Sequence, residues 1–103
     1  MERGVVMEVE MAFANNPREF TKTNVESLNP NQMGCYGLYR PGAWIYVGKG
    51  DIRTRLLAHL NGDNPCITRE KPTHWVDVVT SDMDNEEKRL IVAHDPICNK
   101  KIG

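Results

Sequence analysis

The hydrophobic and polar positions of residues 34–60 predict two strands followed by a helix. Residues 35–40 and 43–47 are short runs of aromatic and β-favouring side chains, and Pro41-Gly42 separates them, which predicts an antiparallel hairpin. The pattern then changes to apolar residues one helical turn apart, which predicts a helix over residues 51–61. The apolar stripe of this helix consists of Ile52, Leu56 and Leu60.

The rest of the chain adds one more strand and one more helix. Residues 74–80 are rich in β-favouring side chains and predict a third strand, in which Asp77 falls where it could face solvent. A helix is predicted from about Asn85 to His94, because Asp95-Pro96 ends it. The polar, proline-interrupted residues 63–72 predict a loop, which could include one helical turn.

The fold class is therefore a small α+β domain with a three-stranded antiparallel sheet flanked by helices, in the order β-β-α-β-α. Residues 34–103 form this domain. Residues 1–33 are interpreted as an N-terminal extension that packs on the core or extends its sheet, because their first part alternates apolar and acidic positions as a half-buried strand does.

Composition excludes several classes of protein. The 103 residues suffice for one domain, and the apolar runs are far shorter than the ~20 residues that span a bilayer. With no signal peptide recognised, a soluble cytoplasmic protein is expected. The net charge of −1 carries no positive excess for DNA phosphates, so any nucleic-acid contact must be local, weak or assisted.

The three cysteines are too few and too scattered to predict a disulfide framework. We expect reduced thiols, as in a cytosolic protein. A zinc site could combine Cys66 with His74, or His94 with Cys98, but neither spacing is specific.

Both predicted helices carry polar residues that have a structural and a chemical interpretation. Arg55 and His59 lie one turn apart at the edge of the apolar stripe, either as a solvated arginine with an edge histidine or as parts of a site. Glu87 falls at the centre of the inward face of the second helix. It either closes a capping box with Asp84 or binds a cation, because a carboxylate buried without a partner is costly.

Five sequence elements occur in an order that resembles the GIY-YIG nuclease family, over residues 34–99. The elements are Gly34-Cys35-Tyr36, then Tyr46-Val47-Gly48, then Ile52-Arg53-x-Arg55-Leu56-x-x-His59, then Glu87-x-x-Leu90-Ile91, and finally Pro96 with Asn99. The chain departs from the family pattern at Cys35, where Ile or Val is usual. Because the position is expected to be buried in a strand, cysteine should be tolerated there.

The resemblance implies metal-dependent hydrolysis of a DNA phosphodiester with Mg²⁺ or Mn²⁺. Tyr36 would be the general base, and since an unperturbed phenol has a pKa of ~10, Lys49 or Arg55 would have to favour its phenolate. Arg55 would clamp the scissile phosphate with its planar guanidinium, and Glu87 would hold the metal.

The resemblance also implies roles for the remaining residues. Tyr46 would position the reactants or relay a proton, and His59 would hydrogen-bond a phosphate oxygen or Tyr46. Lys49 and Arg53 would bind substrate, with a solvated loop lysine as the alternative for Lys49. Asn99 would bind substrate, orient the site or make a structural hydrogen bond.

A site that handles one phosphate should bring its side chains within about 10 Å of each other. The alternative function is a non-catalytic nucleic-acid-binding or protein-interaction module that retains the fold. A homodimer or larger assembly could supply the DNA affinity that the net charge does not.

Overall fold

The computed structural model describes residues 17–99, and the strand expected within the first 13 residues lies outside them. Its strands and helices follow in chain order. They are β1 Arg18–Glu19, α1 Lys22–Glu26, β2 Met33–Arg40, β3 Ala43–Asp51, α2 Ile52–Leu60, α3 Pro65–Glu70, β4 His74–Val79, α4 Met83–His94 and a 3-10 turn Ile97–Asn99. None of the helices within residues 17–99 has the length and apolar character needed to cross a membrane.

The sheet has four antiparallel strands in the order β1-β4-β2-β3, whereas the sequence predicted three. The additional strand, β1, pairs Arg18 with Trp75 and Glu19 with His74. Two polar residues carry no alternating hydrophobic pattern, so their pairing depends on the neighbouring strand and not on their own sequence. Residues 18–19 thus add a strand to the sheet, while the role of residues 1–33 as a whole stays a prediction.

Asp77 of β4 is buried, although the sequence suggested that it could face solvent. Asp77 is 5% exposed, and its Oδ2 accepts hydrogen bonds from Arg18 Nη2 at 3.0 Å and from Trp75 Nε1 at 2.8 Å. Two donors offset the cost of removing a carboxylate from water. The carboxylate is tolerated in the interior because it accepts these hydrogen bonds, and Arg18 of β1 is one of the donors.

Helices cover both faces of the sheet, and the buried residues form one cluster on each face. The cluster facing α2 consists of Val25, Tyr36, Leu38, Ile45, Ile52, Leu56, Ile67 and Trp75. The cluster facing α4 consists of Cys35, Val47, Val76 and Leu90. Both α2 and α4 contact β3, which is the edge strand of this sheet, so side chains from the two faces can approach one another around that edge.

The two helices predicted within residues 34–99 are both present, and the structure adds a further helix there, α3. Asp51 caps α2 by accepting a hydrogen bond from the Thr54 N–H at 3.1 Å, and Gly62 follows its end with φ +85°. Helix α4 begins at Met83, about two residues before the predicted start. The segment predicted as a loop contains the six-residue α3, whose N-cap Asn64 and first-turn Pro65 are strong helix-start signals.

Cys66 and Cys98 form a disulfide, which contradicts the expectation of reduced thiols. The bond joins α3 to the 3-10 turn across 32 residues, with the two Cα atoms 5.8 Å apart. Neither zinc hypothesis survives, because the bond consumes both sulfurs. Among residues 17–99, no three His, Cys, Asp or Glu side chains converge as a metal cluster. Cys35 is a free, buried thiol.

We expect the disulfide to contribute about 3 to 4 kcal/mol to the free energy of unfolding, because it closes a loop of some thirty residues in the unfolded chain. Urea denaturation of the wild type with and without reductant measures this contribution. The double variant Cys66→Ser/Cys98→Ser should match the reduced wild type and be insensitive to reductant. Equal stability of the oxidised wild type and the double variant would contradict the expectation.

Candidate active site

Four elements supply the predicted catalytic residues. Strand β2 supplies Tyr36, α2 supplies Arg55 and His59, β3 carries Tyr46, and α4 carries Glu87. The charge of Glu87 acts on Tyr46. Tyr36 points toward α2, while Tyr39 packs on the opposite face of the sheet, because side chains an odd number of positions apart in a strand lie on opposite faces.

The Tyr36 hydroxyl is hydrogen-bonded to His59 Nε2 at 2.7 Å in the interior of the protein. Tyr36 is 0% exposed and His59 is 4% exposed. The ring of Tyr46 lies beside both, with centroids 6.3 Å from Tyr36 and 5.3 Å from His59. The sequence had suggested Tyr46 or a phosphate as the partner of His59, and the structure shows Tyr36 instead.

Gly48 makes room for this hydrogen bond. A Cβ atom at this position would lie 2.4 Å from the Tyr36 hydroxyl oxygen and 2.8 Å from Cε2 of Tyr46. Both distances are shorter than van der Waals contact. The glycine of the second motif is therefore required by the close approach of two aromatic side chains.

Burial is the main cause of the pKa shifts of Tyr36 and Tyr46. It raises the pKa of Tyr36 well above its ordinary value, and the Arg55 guanidinium offsets only part of the rise. Burial also raises the pKa of Tyr46, to which the negative charge of Glu87 adds. Arg55 favours the Tyr36 phenolate, as the resemblance requires, but its effect on the pKa of Tyr36 is smaller than that of burial.

The pKa of His59 shifts in the opposite direction. Burial lowers its pKa, because an imidazolium is penalised away from water, and the Arg55 charge lowers it further while Asp63 opposes the change. The imidazole is therefore neutral at pH 7. A neutral ring with Nε2 against a phenol can accept a proton from it.

Glu87 does not form the capping box that the sequence left open. The N-cap of α4 is Asp82, and Glu87 Oε1 lies 3.5 Å from Lys49 Nζ of β3. Lys49 also pairs with Asp84. The Glu87 side chain is 21% exposed, and its charge acts on Tyr46. Glu87 is thus an accessible carboxylate on the Tyr46 side of α4.

Asp63 is a site residue that the sequence analysis missed. Its Oδ1 lies 2.7 Å from His59 Nδ1, and its Oδ2 lies 3.1 Å from Arg55 Nη2. The four-residue spacing from His59 is a signal, but Gly62 ends the helix before Asp63, so helical periodicity does not apply there. One carboxylate therefore joins two of the predicted site residues.

The predicted substrate-binding residues occupy different environments. Asn99 accepts a hydrogen bond from the Val47 N–H at 2.7 Å and donates one to the Val47 carbonyl at 2.9 Å. These contacts correspond to the structural hydrogen bond that the sequence allowed. Lys49 lies with the acids of α4, and Arg53 is partly exposed on α2. Their contact with substrate stays a prediction.

The donor set fits one hydrated divalent cation better than a fully protein-ligated one. Mg²⁺ is bound by one or two carboxylates and keeps several waters. Glu87 is one accessible carboxylate, and it already attracts a positive charge from Lys49. A site with a single protein ligand is compatible with the lack of a three-residue cluster within residues 17–99.

The fold is similar to solved structures of the GIY-YIG N-terminal endonuclease domain of UvrC from Thermotoga maritima. That domain bound to magnesium, its catalytic divalent cation, matches with a TM-score of 0.64 and 25% identity over 77% of this chain and 96% of that chain. A point mutant bound to the catalytic divalent cation matches with a TM-score of 0.63 and 24% identity, over 79% of this chain and 100% of that chain. No family model and no curated protein sequence matches the chain.

The chain has the GIY-YIG nuclease fold. The resemblance identified from the motifs is thereby confirmed at the level of the fold, as is the α+β class with an antiparallel sheet flanked by helices.

We expect Gly48→Ala to disrupt the contact between Tyr36 and His59, because the added methyl group occupies the space of the phenol oxygen. Overpacking of this kind costs about 1 to 3 kcal/mol. Urea denaturation measures the cost, and the ring resonances of His59 report the hydrogen bond. Gly42→Asn is the matched control, because Gly42 has φ +89° in open space and Asn tolerates that conformation. Unchanged stability and ring resonances in Gly48→Ala would refute the steric argument.

Proposed function

We propose that this protein is a metal-dependent DNA endonuclease that hydrolyses a phosphodiester bond. The observation that supports the proposal is the packing of Tyr36, Tyr46 and His59 against one another, with Arg55 beside Tyr36 and with an accessible carboxylate, Glu87, whose charge acts on Tyr46. The fold supports it, because the similar UvrC domain is an endonuclease domain bound to its catalytic magnesium.

Charge stabilisation would come from Arg55 and from a metal ion at Glu87, two residues whose charges both act on Tyr46. Arg55 presents a partly exposed guanidinium, whose planar fork matches two phosphate oxygens. Glu87 would hold Mg²⁺ or Mn²⁺, and the bound ion would supply Lewis-acid stabilisation to the phosphate and the leaving oxygen. Lys49 and Arg53 are assigned to neighbouring phosphates of the DNA.

In the proposed mechanism, the proton of the attacking water passes through Tyr46 and Tyr36 to His59. We assign Tyr36 as general base and Tyr46, the half-buried phenol beside it, as the relay from the substrate side. As Tyr36 receives a proton, its own proton moves to Nε2 of neutral His59 at 2.7 Å. The water oxygen bonds to phosphorus, the bond to the 3′ oxygen breaks, and that oxygen takes a proton from solvent. Coupled transfer avoids a free phenolate, which burial disfavours.

We expect the wild type to nick supercoiled plasmid at low salt with Mg²⁺ or Mn²⁺. Glu87→Ala and Arg55→Ala should each lower the rate about a hundredfold or more, because each removes charge stabilisation of the transition state. Gel assays of nicked product measure the rate, with urea denaturation to verify folding.

Glu86→Ala is the matched control for the metal ligand. Glu86 precedes Glu87 on α4 and pairs with Arg89 of the same helix, so its removal should leave cleavage unchanged. Unchanged nicking in Glu87→Ala would refute the metal-ligand assignment. Binding without cleavage of duplex, branched and single-stranded DNA would favour the non-catalytic nucleic-acid-binding module.

A further inference from the structure

Asp63 lies directly after α2 and contacts two residues of the candidate active site at once. Its backbone N–H donates to the Ala58 carbonyl at 3.2 Å, which holds the loop against the end of the helix. Its two carboxylate oxygens then divide between His59 Nδ1 and Arg55 Nη2, at 2.7 and 3.1 Å. Exposed arginine–carboxylate pairs contribute little by themselves, but here one oxygen engages a histidine that is 4% exposed.

The chemistry of the carboxylate determines which nitrogen of His59 carries the proton. A carboxylate only accepts hydrogen bonds, so the hydrogen in the contact with Asp63 belongs to Nδ1. In the neutral ring Nε2 then has a lone pair, and the Tyr36 hydroxyl at 2.7 Å is the donor in that contact. The two hydrogen bonds therefore have the same direction: Tyr36 donates to His59, and His59 donates to Asp63.

We propose that Asp63 is a positioning residue of this site, which fixes the Nδ1–H tautomer of His59 for proton transfer from Tyr36 and aims the Arg55 guanidinium. The proposal rests on the proposed nuclease function for its catalytic consequence. The same arrangement of a nucleophile-side hydroxyl, a histidine and a carboxylate orients imidazoles in hydrolases, where the carboxylate also stabilises the imidazolium that forms. The second carboxylate oxygen of Asp63 contacts Arg55. Asp63 therefore positions both His59, which receives the proton from Tyr36, and Arg55, which is assigned to the phosphate.

The charges around His59 determine the expected pH dependence. The groups that face it are Tyr36 from β2, Tyr46 from β3, Arg55 from its own helix and Asp63 from the loop. Burial lowers the pKa of His59, and among these groups Asp63 opposes the change. Removal of the Asp63 charge should lower the pKa of His59 further. Since the relay needs neutral His59, the acidic limb of the pH–rate profile should then move to lower pH.

Asp63→Asn tests the proposal with little change in size. An amide has one acceptor oxygen, whereas His59 and Arg55 both present donors, so one contact must break or the histidine must change tautomer. We expect the cleavage rate at neutral pH to fall about 10- to 100-fold, as for other partners that orient a functional histidine. Asp63→Glu should recover part of the rate. Glu70→Gln is the control, because it removes a carboxylate paired with another arginine, Arg40, on the hairpin side.

Nitrogen NMR of the His59 ring in the full chain provides the readout that a merely structural role would not move. The expected result is an Nδ1–H tautomer in the wild type, and a changed tautomer with a lower pKa in Asp63→Asn but not in Glu70→Gln. An Nε2–H tautomer in the wild type, or unchanged ring resonances in Asp63→Asn, would overturn the positioning role. Full cleavage in Asp63→Asn despite a changed tautomer would overturn its catalytic importance. A wild type that shows the Nδ1–H tautomer but cleaves no DNA would overturn the proposed function and leave the positioning of His59 established.

Discussion

The hydrogen bond between the Tyr36 hydroxyl and His59 ties the sheet to helix α2 inside the core. A phenol hydroxyl removed from water needs a partner, since an unsatisfied buried polar group costs about 1 to 3 kcal/mol. Gly48 leaves space for the oxygen, and the apolar stripe of α2 brings the imidazole to it. The same two residues therefore contribute to stability and to the candidate chemistry. A substitution of Tyr36 or His59 is expected to change both the stability and the candidate chemistry. Experiments on this site therefore need measurements that separate folding from proton transfer.

The edge position of β3 explains why side chains from opposite faces of the sheet can serve one site. Tyr36 and His59 lie on the α2 side, whereas Glu87 comes from α4 on the other side, and they can approach one another only around an edge strand. An edge strand also exposes backbone groups that invite pairing with another chain. Asn99 uses its amide to occupy the Val47 N–H and carbonyl, so the C-terminal segment of the described chain covers part of this edge.

The features predictable from the sequence are those encoded by local patterns. The hairpin, the α2 stripe, its Asp51 cap and the end of α4 each depend on residues within a few positions of one another. The features that were missed depend on distant partners. Strand β1 is two residues long and exists because β4 lies beside it, and the Cys66–Cys98 bond joins segments whose proximity no spacing reveals. Asp63 was missed because its role arises where helical periodicity has ended.

The ion pairs at the site bear on how the proposed nuclease would bind DNA with a nearly neutral chain. Arg55 is paired with Asp63, and Lys49 with Asp84 and Glu87, so each of these cations already has an internal anion. A phosphate arriving at Arg55 must share or replace a carboxylate, and a divalent cation arriving at Glu87 must compete with an ammonium group. Each exchange substitutes one charge contact for another, so its net gain is smaller than that of a contact with an unpaired charge. This arrangement would therefore favour the placement of a single phosphate. It would favour strong general affinity for DNA less, because that affinity depends on the number of phosphates neutralised.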